Sequence, residues 1–106
     1  MSSHMVASFE YLYPRMSSTG VYMVEDMHAN YSQKFEGGYL LPGTFVELCK
    51  SYLDGIVGAG IKKVPAHPVT DMTLSMHIYE KLIAFERGRH KPAISIRTGG
   101  YTLDED

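Results

Sequence analysis

The sequence predicts an α/β fold, half of a doubly wound unit, with a mixed three-stranded sheet, a C-terminal antiparallel hairpin and two main helices. Three observations carry this prediction. The run Val21-Tyr22-Met23-Val24 is continuously apolar and partly β-branched, the pattern of a strand covered on both faces. Residues 45–57 repeat apolar side chains at helical spacing. Residues 73–87 join an alternating segment to a second apolar run across a short polar turn, as a hairpin does.

Along the chain, Met5, Phe9, Leu12 and Met16 fall at spacings of four, three and four, the stripe of an amphipathic helix, with Ser2 or Ser3 available as its cap. Pro14 ends that helix. Ser17-Ser18-Thr19-Gly20 is a turn cluster that delivers the chain to the first strand, which Glu25-Asp26 bounds. From Met27 to Gly43 periodicity disappears and Asn30, Tyr31, Gln33, Phe35 and Tyr39 mix with Gly37 and Gly38. An aperiodic loop of this length in a compact domain is a natural place for function.

The clearest helix follows, with Phe45, Leu48, Cys49, Tyr52, Leu53, Ile56 and Val57 on one stripe. Thr44 with Glu47 three residues on reads as a capping box, and Gly58 and Gly60 close the helix. Lys62 to Thr70, with Pro65 and Pro68, reads as a connector. Leu74, Met76 and Ile78 then alternate with Ser75, His77 and Tyr79, Glu80-Lys81 offers a turn, and Leu82-Ile83-Ala84-Phe85 forms the second hairpin strand. Residues 1–90 form the expected domain, and residues 91–106 an expected tail. A three-stranded sheet of this kind leaves one flank of its first strand without a neighbour.

A chain of 106 residues, 44% hydrophobic and 21% charged, is globular and holds one domain at most. At this size the core is modest, which favours a partner or a second copy. Ten basic against twelve acidic residues leave a net charge of −2 and no field to attract a polyanion, so nucleic acid is not an expected partner. Cys49 is the single cysteine, no basic flank and apolar run mark a signal peptide, and the expected location is cytoplasmic. No apolar run approaches the roughly 18 residues of a membrane span. The Asn30-Tyr31-Ser32 sequon, without secretory context, reads as chance.

Glu25, Asp26 and His28 are the first candidates for chemistry. They stand at the carboxyl end of the first strand, where open α/β sheets bind ligands, and paired carboxylates supply hard oxygen ligands to Mg²⁺ or Ca²⁺. An acidic pair that only caps the sheet or forms salt bridges is the structural alternative. No two histidines have the spacing of a zinc site, and no Gly-x-Ser-x-Gly elbow is present. Cys49 sits on an apolar helix stripe as a small core residue, and Gly58-Ala59-Gly60 follows a helix, so it reads as a helix end rather than a dinucleotide loop. Arg87, Arg89, His90 and Lys91 read as a solvated basic rim.

The segment Gly20-Val21-Tyr22-Met23-Val24-Glu25-Asp26-Met27-His28-Ala29-Asn30-Tyr31 resembles the class I S-adenosylmethionine-dependent methyltransferases of macrolide sugars, with the related rhamnosyl O-methyltransferases and cephalosporin-hydroxylase-like proteins. The resemblance extends through Phe9-Glu10-Tyr11-Leu12-Tyr13-Pro14, Phe35-Glu36-Gly37-Gly38 and Pro42-Gly43-Thr44-Phe45-Val46-Glu47 to the hairpin from Met76 to Arg87. It covers about residues 4 to 90, in the family's order and spacing.

The resemblance implies a partial Rossmann-like methyltransferase fold, its C-terminal half, whose last strand is antiparallel. It implies that Glu25 and Asp26 are Mg²⁺ ligands beside the acceptor hydroxyls, and that His28 and Tyr31 line the acceptor site. The family's Asp-Gly-Ser-His segment, with its third metal ligand and candidate base, and the Gly-rich cofactor loop have no counterpart in the chain, and aligning the first helix puts Met1 just after that segment. No catalytic or cofactor-binding residue is therefore assigned, and S-adenosylmethionine is expected only where the missing half is supplied. The expected partner is a second copy, giving a homodimer, or a complementary N-terminal half. A non-catalytic binding or regulatory module that dimerises through its exposed sheet edge is the alternative reading.

Overall fold

A computed structural model describes residues 1–89 as α1 (Ser2–Leu12), β1 (Val21–Val24), α2 (Phe45–Val57), α3 (Pro68–Asp71), β2 (Thr73–Tyr79) and β3 (Leu82–Arg87). Short 3₁₀ helices at Tyr13–Arg15, Met27–Tyr31 and Gln33–Phe35 complete the path. The α/β class, the three strands and the C-terminal hairpin are those expected from the sequence. The expected tail, 91–106, and His90 and Lys91 of the basic cluster lie outside the described residues. No helix among the described residues is long and apolar enough to cross a membrane.

The sheet order is β1-β3-β2, and β3 is antiparallel to both neighbours. The expected mixed pairing is therefore corrected, because β1 and β2 run in the same direction but do not touch. The connection through α2 leaves a gap between them, and the hairpin folds β3 back into it. The second edge of β1 has no strand beside it among the described residues.

Register divides the sheet into unlike faces. Tyr22, Val24, Ile83, Phe85 and Met76 share the face on which the helices pack, whereas Val21 and Met23 share the opposite face with Ala84 and Glu86. Met23 is 63% exposed. The expectation that β1 is covered on both faces thus fails within the described residues, since α1 and α2 both pack on one side and nothing shields the other.

Phe9 is the centre of the core. Its ring lies 4.6 Å from Tyr13, 5.2 Å from Tyr22, 5.4 Å from Phe45, 5.6 Å from Tyr52 and 4.5 Å from Phe85. One side chain thereby joins α1, β1, α2 and β3 through aromatic contacts, which favour tilted and edge-on geometries of this kind. Tyr13 takes the inward place that the stripe assigned to Leu12, which is 49% exposed. The 3₁₀ turn at Pro14 tightens the backbone there, and the buried phenol finds a partner in Thr73 Oγ1 at 2.8 Å. Arg87, expected on a solvated rim, donates from Nη1 to the carbonyls of Tyr13 and Met16 at 2.7 and 3.2 Å and so closes the end of this turn.

On α2 the buried set is Phe45, Val46, Cys49, Tyr52 and Gly55, while Leu53 and Val57 of the expected stripe face outward. The expected cap is half formed. The Glu47 amide donates to Thr44 Oγ1 at 3.4 Å, but the Glu47 carboxylate accepts from Lys50 Nζ at 2.6 Å instead of returning to the cap amide. The Lys62–Thr70 connector contains the short α3, with Pro68 in its first turn and His67 Nδ1 accepting from the Val69 amide at 3.0 Å.

Burial pushes the Cys49 thiol up to about 12 and raises the Tyr52 phenol above its usual range. Both groups are held neutral in the fold, so their contribution is complete below the ordinary thiol value of 9.0 and is lost as pH climbs towards the folded values. The urea midpoint is expected to be level near neutrality and to fall steadily above about pH 9, with Cys49→Ala flattening the first part of the fall. A midpoint independent of pH up to about 11 would contradict the burial of both groups.

Candidate functional site

β1 ends at Val24 beneath the first helical turn of the long segment, so the next two residues, Glu25 and Asp26, emerge at the carboxyl end of the strand. Asp26 has φ 57° and ψ 36°, a left-handed conformation that Asp tolerates better than most residues. This reverses the chain into the Met27–Tyr31 turn and leaves both carboxylates exposed. His28 and Tyr31 on the same turn are also exposed. Among the described residues, none of Glu25, Asp26 and His28 forms a side-chain hydrogen bond or ion pair, and Asp26 does not cap the turn that it begins. Of the structural alternative for the acidic pair, no salt bridge is formed among the described residues.

The turn is held through its backbone and through Asn30. The Met27 amide donates to the carbonyl of Lys81 in the β2–β3 turn at 2.9 Å, which ties the site to the hairpin. Asn30 is 0% exposed and its carboxamide is fully used. Nδ2 donates to the Met27 carbonyl at 2.9 Å and to Met5 Sδ at 3.4 Å, and Oδ1 accepts from Ser2 Oγ at 2.8 Å and from the Val46 amide at 3.2 Å. Two donors on one side and a carbonyl on the other fix which end is oxygen. Ser2 Oγ in turn accepts from the Phe45 amide at 2.7 Å.

Three amides at the start of α2, on Phe45, Val46 and Glu47, thus meet oxygens from Ser2, Asn30 and Thr44, three separate parts of the chain. Ser2 was expected to cap its own helix. It lies inside α1 instead and caps α2, while Ser3 donates to Glu36 at 2.7 Å, which holds the Glu36 carboxyl below its usual range. The Asn30-Tyr31-Ser32 sequon was expected to be chance, and the Asn30 carboxamide is completely buried, which closes it to modification in the folded chain.

The aperiodic segment is therefore ordered. Gly38 donates to the Asn30 carbonyl at 2.9 Å and Gly37 to the Ser32 carbonyl at 2.8 Å. A Cβ on Gly37 would collide with the Asn30 carbonyl and approach that of Ala29 to 2.6 Å, so the backbones meet only because this position is glycine. Tyr39 beyond it is 78% exposed, with Leu40 and Leu41 also outward.

Two exposed carboxylates without a partner among the described residues fit a magnesium ion that keeps most of its water, the usual way in which proteins hold it. They do not make a closed cage. No group of three or more His, Cys, Asp or Glu among the described residues is arranged to hold a metal. The β1-β3-β2 order sets an antiparallel strand between two co-directional ones, with the acidic pair just beyond the carboxyl end of the first.

The chain is 33% identical over 91 residues to the 8-demethyl-8-α-L-rhamnosyl tetracenomycin-C 2′-O-methyltransferase of Streptomyces olivaceus, matching 82% of this chain and 24% of that protein. It is 30% identical over 100 residues to the mycinamicin VI 2″-O-methyltransferase of Micromonospora griseorubida, over 85% of this chain and 24% of the other. Among solved structures it matches the MycE methyltransferase of mycinamycin biosynthesis in complex with Mg and SAH, with a TM-score of 0.71 and 28% identity over 83% of this chain and 24% of that one. The MycE complex with Mg, SAH and mycinamycin VI gives a TM-score of 0.72 at 29% identity, over 83% of this chain and 23% of that one. No protein-family model matches. In sequence and fold the chain belongs to this group of sugar O-methyltransferases as a partial domain, spanning about a quarter of the length of the relatives it matches.

Replacing Gly37 by alanine forces the loop away from Asn30, and the expected cost is about 1–3 kcal/mol of unfolding free energy. Urea unfolding measures it. A loss under about 0.5 kcal/mol, as for an ordinary surface change, would mean that the two backbones are not in contact in solution.

Proposed function

We propose that this chain supplies part of the metal-binding acceptor site of an S-adenosylmethionine-dependent O-methyltransferase-like protein and that it has no methyl-transfer activity alone. The observation that carries the reading is the exposed Glu25–Asp26 pair, without a side-chain partner among the described residues, on an anchored turn at the end of β1, in a chain similar to two sugar O-methyltransferases. A sugar or small-molecule hydroxyl is the proposed acceptor class, after the acceptors in those relatives' names. Magnesium bound there would act as a Lewis acid towards acceptor hydroxyls. Glu25 and Asp26 contribute oxygens to it, and His28 and Tyr31 on the same turn offer polar contacts to the acceptor. Methyl transfer also requires donor and acceptor to be held in line at close approach, and the described residues contain no Gly-rich strand-loop-helix to hold the donor.

Calorimetric titration with Mg²⁺ and then with S-adenosylmethionine tests this reading. Weak Mg²⁺ binding that falls at least about tenfold in Glu25→Gln and Asp26→Asn, together with no heat from S-adenosylmethionine, is the expected result. Unchanged Mg²⁺ response in both variants would remove the acidic pair from the site. Saturable, metal-sensitive S-adenosylmethionine binding would show that the chain rebuilds a donor site.

The apolar, uncovered face at Val21 and Met23 and the open second edge of β1 favour a second proposal, association with another chain. A second copy or a complementary N-terminal half meets this need, and a non-catalytic binding or regulatory module that dimerises in this way is the alternative function. Light scattering is expected to give twice the chain mass of 11.9 kDa. A stable monomer at about 0.1 mM, far above ordinary dimer dissociation constants, would count against self-association.

A further inference from the structure

Neither Glu25 nor Asp26 has a side-chain partner among the described residues, so only the backbone can aim their carboxylates. That backbone is fixed at Met27, the next residue, at both of its polar groups. Its amide is held by the Lys81 carbonyl, and its carbonyl is held by Asn30 Nδ2. Asn30 links this clamp by hydrogen bonds to α1 and α2, because its Oδ1 is bound to Ser2 of α1 and to the first turn of α2, and its Nδ2 also reaches Met5 Sδ of α1 at 3.4 Å.

We propose that Asn30 is the positioning residue of the acidic turn, its Nδ2 setting the direction of Glu25 and Asp26 while its Oδ1 caps α2. The two ends of one carboxamide thus have separable tasks. Only the purpose of the turn rests on the magnesium reading above; the positioning role rests on the hydrogen bonds alone.

The separation can be tested with Asn30→Asp. A carboxylate keeps an acceptor for Ser2 and Val46, and a helix N-terminus favours negative charge, but the donor to the Met27 carbonyl is gone. Amide hydrogen exchange is the primary measurement, and broadening of the Glu25 and Asp26 amide signals by Mn²⁺ is the second. Asn30→Asp is expected to keep protection in the first turn of α2 while the Met27 and Ala29 amides exchange at least about tenfold faster, a difference larger than local fraying alone produces. Ser2→Ala is expected to do the reverse, loosening the start of α2 and leaving Met27 and Ala29 as they were.

Met27 and Ala29 amides that exchange at the parent rate in Asn30→Asp would overturn the proposal and leave Asn30 as a helix cap only. If that variant does not fold, the unmodified chain decides. The Asn30 Nδ2 protons should then exchange together with the Met27 amide, and rates that differ by more than about tenfold would overturn the positioning role. Mn²⁺ broadening that weakens in Asn30→Asp supports the clamp as a means of presenting the carboxylates. Its absence in the parent chain would sink the magnesium reading, while the exchange rates would still decide the role of Asn30.

Discussion

The start of α2 is a place where a buried helix must find partners for its first amides, and this chain finds them in the helix's own cap residue and in two distant residues. Ser2, Asn30 and Thr44 each contribute one oxygen. An unpaired buried amide costs about 1–3 kcal/mol, so the three oxygens are not interchangeable decoration. They require α1, the 27–31 turn and α2 to come together in one arrangement. The acidic turn is ordered because it contributes one of those oxygens, and its order is thus a consequence of capping a helix on which it does not lie.

Aromatic packing works with this polar junction rather than beside it. Phe9 stands on α1 two turns beyond Ser2, and its contacts with Phe45 and Phe85 press α1 against α2 and β3. Hydrophobic contact supplies most of the attraction but little direction. Hydrogen bonds at Ser2 and Asn30 supply direction, since they tolerate only a small range of distance and angle. Together they hold the long segment against the helices, and the Lys81 carbonyl holds the end of β1 against the hairpin.

The carboxylates at the end of β1 have no side-chain partner among the described residues. Asn30 and the Met27 backbone have partners within the chain, while Glu25, Asp26 and His28 are exposed and form no side-chain hydrogen bond or ion pair among the described residues. Val21 and Met23 on the sheet face opposite the helices are likewise exposed among the described residues.

Much of this was legible in the sequence. The strand at 21–24, the helix at 45–57 and the hairpin at 73–87 were, because periodicity of apolar residues is a local property set by 3.6 or 2 residues per repeat. The acidic pair was legible too, as its place after an apolar run fixes it at a strand end. Which residue of a stripe faces inward was not: Tyr13 replaced Leu12 because a 3₁₀ turn and a partner in Thr73 lie outside the helical pattern. The strand order was not, because β3 fills a gap that exists only once β1 and β2 are placed. Nor was the role of Asn30, whose partners at residues 2 and 46 have no fixed sequence spacing. The sequence by itself determined the elements and the exposed carboxylates, since these depend on neighbours along the chain. Only the tertiary structure decided how they are joined, since a cap supplied from a distant segment is a contact between surfaces that no local pattern records.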